Sequence, residues 1–313
     1  MSELNIAVAQ VGGINKSDKR ADVVLRLIGL LEKAAKRGAD IVVFPELTLS
    51  SAFFFGEWIE EISDIDEYLD SSMPNASVRP LFDRARELSC GFYLGYGEKA
   101  EDGKRYNASI LVNQEGAIVG KYRKAHLPGH SDRRDDEPTQ VLEKRYFEEG
   151  DTGFGVFDFH GTKIGMCICN DRRWPEVYRV MALQGAEVIV LGYNTPTHVP
   201  GWLEEPHSKM FAHLLSIQAG AYQNGVFVAA AGKSGWEGDL HLIGGSAIVA
   251  PSGEILAKAA SEDDEVIAYP INLSQAKSYR EGVFNFAEHR RPELYGLIVD
   301  RKGRGEPLGS PAR

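Results

Sequence analysis

The chain of 313 residues contains very little cysteine, and its three thiols are Cys90, Cys167 and Cys169. Three cysteines are too few for a disulfide scaffold, and their odd number is typical of proteins in a reducing compartment. The sequence also lacks any apolar run that approaches the roughly 20 residues needed to cross a bilayer. Its first residues show neither the basic segment nor the apolar segment of a signal peptide. We therefore expect a cytoplasmic protein with no membrane partner.

An excess of basic charge is absent as well. The chain has 35 Lys and Arg against 45 Asp and Glu, which gives a net charge of −10. An acidic chain lacks the basic footprint that nucleic acids and anionic membranes require, so we expect no nucleic-acid partner. Hydrophobic residues make up 43% and charged residues 26%, which excludes wholesale disorder.

Short apolar segments alternate with amphipathic segments along the chain, and this alternation predicts a layered α/β fold. Helical spacing predicts helices that include Val24 to Leu31, Val78 to Leu88, residues 175–184 and residues 208–223. Apolar runs predict buried strands at 5–10, 41–44, 91–96, 109–112, 117–122, 155–159, 163–169, 188–191, 226–231, 245–250 and 266–271. No linker interrupts the pattern, so we predict one domain over residues 1–300 and a flexible tail over 301–313. The irregular stretch 126–151 is long enough to be functional.

One candidate functional residue is Glu46, which directly follows the predicted strand 41–44 in the sequence Phe44-Pro45-Glu46. α/β folds place their sites at the ends of strands, where such a carboxylate could act on a ligand. The alternative is an ordinary surface glutamate in a turn.

A second candidate is Cys169, at the end of a buried strand and before a helix that opens with Pro175. The positive end of a helix dipole would lower the pKa of a thiol there and raise its thiolate fraction. Cys167, two residues earlier, is interpreted as a core cysteine. A buried, inert Cys169 is the alternative. Two cysteines without a second pair at zinc spacing do not indicate a metal site.

A third candidate is the segment 120–129, which contains the basic residues Lys121, Arg123 and Lys124 at the end of a predicted strand. One of them could stabilise a developing oxyanion. Solvated surface charge is the alternative. A cysteine, a glutamate and a lysine at three strand ends form a coherent set of nucleophile, base and oxyanion stabiliser, although spacing alone does not show that they converge.

These three segments resemble the glutamate, lysine and cysteine motifs of the nitrilase superfamily of carbon–nitrogen hydrolases, in the same order along the chain. The resemblance extends from the first strand to about Leu297. Several segments are similar to one branch, the N-carbamoyl-D-amino acid amidohydrolases: residues 122–129, 142–147, 169–176, 192–198 and 216–224. The fold that the resemblance implies is a four-layer α-β-β-α sandwich, which in this family forms homodimers or homotetramers.

The resemblance also implies roles for individual residues. Cys169 would be the nucleophile, Glu46 the base and Lys124 the oxyanion partner. Glu143 matches a second glutamate beside the lysine. The substrate-binding residues implied in the same way are Arg172 and Arg173 at a substrate carboxylate, Asn194 and Thr195 in the same pocket, and His126 beside the site.

Some residues depart from the pattern or admit a structural interpretation. Val141 stands where related enzymes have a histidine, and residues 51–58 differ from the family's usual segment, which bears on the preferred side chain of the substrate. The aromatic residues of that segment, Phe53, Phe54, Phe55 and Trp58, could line a pocket or pack at a subunit interface. The arginine pair could instead form structural ion pairs with Asp171 or Glu176. We interpret His207, His213 and His241 as core or surface residues.

The implied reaction is hydrolysis of N-carbamoyl-D-amino acids to D-amino acid, carbon dioxide and ammonia through a thioester on Cys169, without metal or organic cofactor. The partner is then a small-molecule substrate. Alternatives within the superfamily are an amidase, a nitrilase, or a hydrolase of carbamoylated amines or β-ureido acids. A non-catalytic scaffold and an acyltransferase are further alternatives.

Overall fold

The computed structural model describes residues 3–56, 58–136, 140–197 and 205–305. Its strands are β1 (Glu3–Gly12), β2 (Ile41–Val43), β3 (Phe55–Gly56), β4 (Leu69–Asp70), β5 (Gly91–Lys99), β6 (Arg105–Val112), β7 (Ile118–Arg123), β8 (Gln140–Val141), β9 (Val156–Phe159), β10 (Thr162–Ile168), β11 (Val188–Tyr193), β12 (Phe227–Glu237), β13 (Leu240–Ile243), β14 (Ala247–Val249), β15 (Ile255–Lys258) and β16 (Glu265–Asn272). The helices are α1 (Arg20–Ala35), α2 (Arg79–Leu88), α3 (Glu143–Tyr146), α4 (Pro175–Leu183), α5 (Pro206–Asn224), α6 (Leu273–Glu281), α7 (Phe286–His289) and α8 (Gly296–Asp300).

Two β-sheets form the centre of the molecule. The first has the strand order β7-β6-β5-β2-β1-β16, and the second has the order β9-β10-β11-β12-β14-β15. β1 and β12 pair in parallel at Val11 and Gly12, which joins the sheets at one edge. β1, β2 and β5 run parallel, as do β10, β11 and β12. The carboxyl ends of each parallel set therefore lie at one edge of its sheet.

The side chains of β1 show how the layers form. Ile6 and Val8 pack in the core between the two sheets, whereas Ala7 and Ala9 pack in a second core against α1 and α2. Alternate residues of a strand point to opposite faces, so an apolar strand with both faces buried needs a layer on each side. α4 and α5 cover the second sheet in the same way, as the burial of Tyr178 and Ile217 in its core shows. The predicted four-layer α-β-β-α sandwich is confirmed.

The main predicted elements are present, with small shifts of their ends. The strand predicted at 163–169 is β10, which ends at Ile168, so Cys169 begins the next turn. The stretch 126–151 was predicted to be irregular, yet it contains β8 and α3. β8 pairs with β3 in a small separate sheet. β3 and β8 have two residues each, too few to show the alternation of apolar and polar residues by which a strand is recognised in a sequence.

The C-terminal part after β16 consists of α6, a short α7, a 3₁₀ turn at Pro292–Leu294 and α8. Residues 301–305 of the predicted tail are exposed, and 306–313 lie outside the described residues. Among the helices that the structure describes, none is long and apolar enough to span a membrane.

Candidate active site

Glu46 lies just after β2, where the two sheets come close together. Gly192 at the end of β11 makes this approach possible, because a Cβ atom there would lie 2.4 Å from the backbone nitrogen of Glu46. The carboxylate is fully buried. Its Oε2 accepts a hydrogen bond of 2.8 Å from the backbone N–H of Asn194, and the Asn194 Nδ2 donates to the Glu46 carbonyl at 3.0 Å. Glu46 is therefore held in place by Asn194, which directly follows β11 of the second sheet.

Cys169 follows β10 and has a left-handed backbone with φ of 46°. This conformation is uncommon for a residue with a side chain, and it is often found at active sites. The thiol donates to the Asn194 carbonyl over an Sγ–O distance of 3.4 Å. Asn194 thus contacts the cysteine through its carbonyl and Glu46 through its N–H. The residues that follow β2 and β10 therefore lie close together, which spacing in the sequence alone does not show.

Lys124 lies immediately after β7, and its ammonium is fully buried between two carboxylates. Nζ lies 2.7 Å from Glu46 Oε1, 2.7 Å from Glu143 Oε1 and 2.8 Å from Glu143 Oε2. Glu143, the first residue of α3, is also fully buried. A buried charge is tolerated only when it is paired and hydrogen-bonded, and this cluster fulfils that condition.

The charges in this cluster shift one another's pKa values. Burial opposes a charged Lys124, but attraction to the ionised forms of Cys169, Glu143 and Glu46 outweighs burial and raises the pKa of the ammonium. Burial raises the pKa of Glu143 to about 7, against the opposing effect of Lys124. A lysine that stays charged beside an acid that titrates near neutrality is an arrangement typical of active sites.

The expected activation of Cys169 by a helix dipole is wrong. Burial, and then the charge of Glu46, raise the pKa of its thiol to about 11, while Lys124 and Arg172 act in the opposite direction. The dipole argument failed because α4 begins only at Pro175, and burial dominates at the cysteine. The resting thiol is therefore protonated and needs a base to become a nucleophile.

Asn107 was missed by sequence reasoning. This residue of β6 is buried, and its Nδ2 lies 2.7 Å from Glu46 Oε1 and 2.7 Å from Glu143 Oε1. Its strand also carries the polar residues Arg105 and Ser109, so the residue type alone did not distinguish Asn107.

Asp171 fixes the turn that carries the cysteine. Its carboxylate accepts hydrogen bonds from Tyr122 Oη at 2.8 Å and from the backbone N–H groups of Ile168 and His126 at 3.0 Å each. The His126 Nδ1 lies 2.8 Å from the same carboxylate. The His126 ring also stacks on Trp174, with centroids 5.1 Å apart. The structure thus places His126 behind the cysteine turn and in a supporting position, whereas the resemblance implied a place among the substrate-binding residues.

Arg172 is only 2% exposed, and protein groups engage its guanidinium. Nη1 donates to the Cys169 carbonyl at 2.6 Å, Nη2 to Thr195 Oγ1 at 2.9 Å and Nε to His213 Nδ1 at 3.1 Å. Tyr193 lies beneath it, 4.8 Å from the guanidinium carbon to the ring centroid. Neither partner considered from the sequence, Asp171 or Glu176, accounts for these contacts. Arg172 therefore shapes the cysteine turn in addition to lining the pocket described next.

A pocket that opens to solvent lies over Cys169. Its lining combines apolar residues with the cationic residues Arg172, Arg173 and Lys209. The residues that line the pocket are Phe54, Phe55, Pro128, Val141, Glu143, Cys169, Asn170, Arg172, Arg173, Asn194, Thr195, Pro196 and Lys209. Of the predicted substrate-binding residues, the arginine pair, Asn194 and Thr195 thus line the pocket, and His126 does not.

Lys209 on α5 is a pocket residue that no motif indicated, and it is only 1% exposed. Its position within an amphipathic helix resembles that of an ordinary surface lysine in sequence.

The aromatic residues that follow Glu46 have two different roles. Phe54 and Phe55 line the pocket, while Phe53 stacks on Tyr68 with centroids 4.8 Å apart.

His213 belongs to the supporting structure and is buried. Burial and the charge of Arg172 lower the pKa of His213 well below its usual value, so its imidazole is neutral. Its Nε2 lies 3.3 Å from the Gly245 carbonyl. In the part of the chain that the structure describes, no three His, Cys, Asp or Glu side chains form a cluster that could hold a metal ion.

Comparisons with protein families, with sequences and with solved structures all point to carbon–nitrogen hydrolases. The family model for carbon–nitrogen hydrolases matches residues 5–281. The chain is 30% identical to an N-carbamoylputrescine amidase of Solanum lycopersicum, covering 88% of each chain. It is 29% identical to a citrullinase of Francisella tularensis, covering 96% of this chain and 99% of the relative. Among solved structures, a carbon–nitrogen hydrolase from Helicobacter pylori G27 is 26% identical and superposes with a TM-score of 0.81 over 96% of this chain and 99% of that one.

These relatives support the superfamily predicted from the three motifs, while their names do not single out the N-carbamoyl-D-amino acid branch. Over most of its length, the chain matches enzymes that cleave carbon–nitrogen bonds other than peptide bonds. The protein belongs to the carbon–nitrogen hydrolase family of the nitrilase superfamily.

Proposed function

We propose that the protein hydrolyses N-carbamoyl amino acids, with the D series as its substrates, to amino acid, carbon dioxide and ammonia. The observation that carries this proposal is the mixed lining of the pocket over Cys169. Arg172, Arg173 and Lys209 supply positive charge, which a substrate carboxylate would bind. Phe54 and Val141 supply apolar surface, which suits a hydrophobic amino-acid side chain.

The names of the relatives support a ureido group as the reacting part. N-carbamoylputrescine is a ureido amine, and citrulline is a ureido amino acid. The two compounds share the group that would lie at the cysteine, and they differ in the charge of the remainder. The choice of D over L rests on the resemblance of residues 169–176 and 192–198 to the D-specific branch. The last residue of the second segment belongs to the stretch 198–204, which lies outside the described residues.

In the first half of the reaction, Glu46 takes the proton of the Cys169 thiol, and the sulfur forms a bond to the ureido carbon. The carbonyl oxygen becomes an oxyanion, which Lys124 and a backbone N–H near Asn170 stabilise. Loss of one such donor typically costs about 3–4 kcal/mol of barrier. The bond from carbon to the terminal nitrogen then breaks, and Glu46 returns its proton so that ammonia leaves.

In the second half, the N-substituted carbamoyl group is a thioester on Cys169. Glu46 takes a proton from water, and the hydroxide oxygen bonds to the thioester carbon. The carbon–sulfur bond breaks, and the cysteine sulfur recovers the proton. The released carbamic acid divides into carbon dioxide and the amino acid. Both halves use the same base, which explains why Glu46 is held by the firm contacts described above.

The second candidate is hydrolysis of a carbamoylated amine, the class of compound named for the N-carbamoylputrescine amidase of Solanum lycopersicum. A cationic substrate tail would meet Arg172, Arg173 and Lys209 in the pocket. Like charges in a confined site repel each other, so these three cationic residues favour an anionic tail.

The test is ammonia release from N-carbamoyl-D- and N-carbamoyl-L-amino acids, one aromatic and one small pair, with N-carbamoylputrescine as the amine. Cys169→Ala is the control. We expect release from the D series, with the aromatic compound preferred, and no release by the variant. Turnover of N-carbamoylputrescine alone would replace the carboxylate proposal with the amine candidate, and turnover of the L series alone would overturn the stereochemical part.

A further inference from the structure

Asn107 is the one uncharged side chain that contacts both glutamates of the cluster in the described structure. Its Nδ2 atom carries two hydrogens, and each carboxylate has an oxygen at 2.7 Å from that nitrogen. The residue is 1% exposed. The reverse orientation of the amide would bring its Oδ1 against two carboxylate oxygens, so the hydrogen-bond pattern fixes the amide as described.

The backbone of Asn107 is part of the same arrangement. Its carbonyl accepts a hydrogen bond of 2.8 Å from the N–H of Lys124. One residue of β6 therefore holds the main chain of the lysine and the side chains of both acids. These three groups come from separate elements, namely the end of β2, the end of β7 and the start of α3.

Two carboxylates in one buried site repel each other unless donors separate them or one takes up a proton. Glu46 receives donors on both oxygens, from Asn107, Lys124 and the Asn194 backbone. We propose that Asn107 is a positioning residue of the reaction, because its two amide hydrogens hold the carboxylates of Glu46 and Glu143 in their working geometry. This inference rests on the role of Glu46 as base in the proposed function, but it is independent of the substrate class.

Several charged or titratable groups face Glu46 from the surrounding elements. Lys124, Glu143 and Cys169 are its immediate neighbours. Lys233 on β12 and Tyr93 on β5 act on it over a longer distance. A change at Asn107 alters the number of donors to Glu46 without changing these groups.

The experiment measures the rate at which iodoacetamide alkylates Cys169 as a function of pH, read by mass spectrometry of the cysteine peptide in the folded full-length chain. It compares wild type with Asn107→Asp, which keeps the shape and adds a negative charge, and with Asn107→Ala. Both changes remove the hydrogen bonds that the amide donates to Glu46 and Glu143. We therefore expect Cys169 to be alkylated more slowly in both variants than in wild type. On an active substrate, kcat should fall at least tenfold while KM changes less than threefold.

Ser109→Ala is the matched control, because Ser109 is a fully buried polar residue on the same strand, two positions away. Its profile should coincide with that of wild type. An Asn107→Asp profile that also coincides with wild type would overturn the proposal. Loss of the folded state in both Asn107 variants but not in Ser109→Ala would overturn it in favour of a purely structural role. A chain that alkylates as expected but cleaves no ureido compound would contradict the proposed substrate and leave the role of Asn107 supported.

Discussion

The contacts of Arg172 lead to a prediction that separates a positioning role from binding of the substrate carboxylate. Its guanidinium donates to the Cys169 carbonyl, Thr195 and His213 from three different nitrogens. Lysine would keep the positive charge but has a single nitrogen on a flexible stem, so Arg172→Lys should retain at most one of these hydrogen bonds.

The expected loss in the free energy of unfolding follows from the two hydrogen bonds that Arg172→Lys removes. A hydrogen bond that involves a charged group contributes about 1.5–3 kcal/mol, so two of them give roughly 3–6 kcal/mol, part of which relaxation recovers. We therefore expect Arg172→Lys to lower the free energy of unfolding by about 3 kcal/mol. Because the Cys169 carbonyl belongs to the left-handed turn that aims the thiol, kcat should fall at least tenfold for anionic and uncharged substrates alike.

The assay pairs thermal unfolding with steady-state kinetics on an N-carbamoyl amino acid and on its uncharged amide. Arg173→Gln is the control, because Arg173 lines the same pocket but is exposed. It should raise KM for the acid and leave the amide unchanged. An Arg172→Lys variant with wild-type stability, whose only defect is a higher KM for the acid, would refute the positioning role.

Three further predictions concern other residues of the site. Lys209→Met should raise KM for an N-carbamoyl amino acid about tenfold, the loss of roughly one charge-assisted contact, and leave KM for the corresponding amide unchanged, as steady-state kinetics would show; an equal change for both would contradict a carboxylate contact. The pKa of Glu143 is raised by burial to about 7, so this residue favours folding below the pKa of an unfolded carboxyl and loses that contribution as the pH rises through about 7. Thermal unfolding should show a smaller loss of stability between pH 5 and 8 for Glu143→Gln than for wild type, and an equal loss would be contrary evidence. His126→Phe should keep the stack on Trp174 but lose the contact to Asp171, which lowers kcat with little change in KM; a selective rise in KM would instead support direct substrate binding by His126.

The layered fold could be predicted because its cause is local. The apolar runs in β1 and β11 are long enough to be recognised, and both faces of such strands must be covered. β3 and β8 could not be predicted, since each has two residues and its pairing depends on contacts far apart in the sequence.

The site was predictable where a residue belongs to a recognisable segment. Glu46, Lys124 and Cys169 follow strands, and their motifs raised the expectation that they converge. Asn107 and Lys209 carry no such signal, because their function depends on which groups the fold brings to them. The pKa of Cys169 was predicted in the wrong direction because burial depends on the whole fold, whereas the dipole argument used only the adjacent helix.

In the proposed reaction, Cys169 forms a thioester as ammonia leaves. This step is tested most directly by intact-mass analysis of the enzyme quenched in acid during turnover of N-carbamoyl-D-phenylalanine. We expect an adduct on Cys169 with the mass of the substrate minus ammonia, and no adduct in Cys169→Ala. Ammonia release without any adduct, together with turnover by Cys169→Ala, would contradict it.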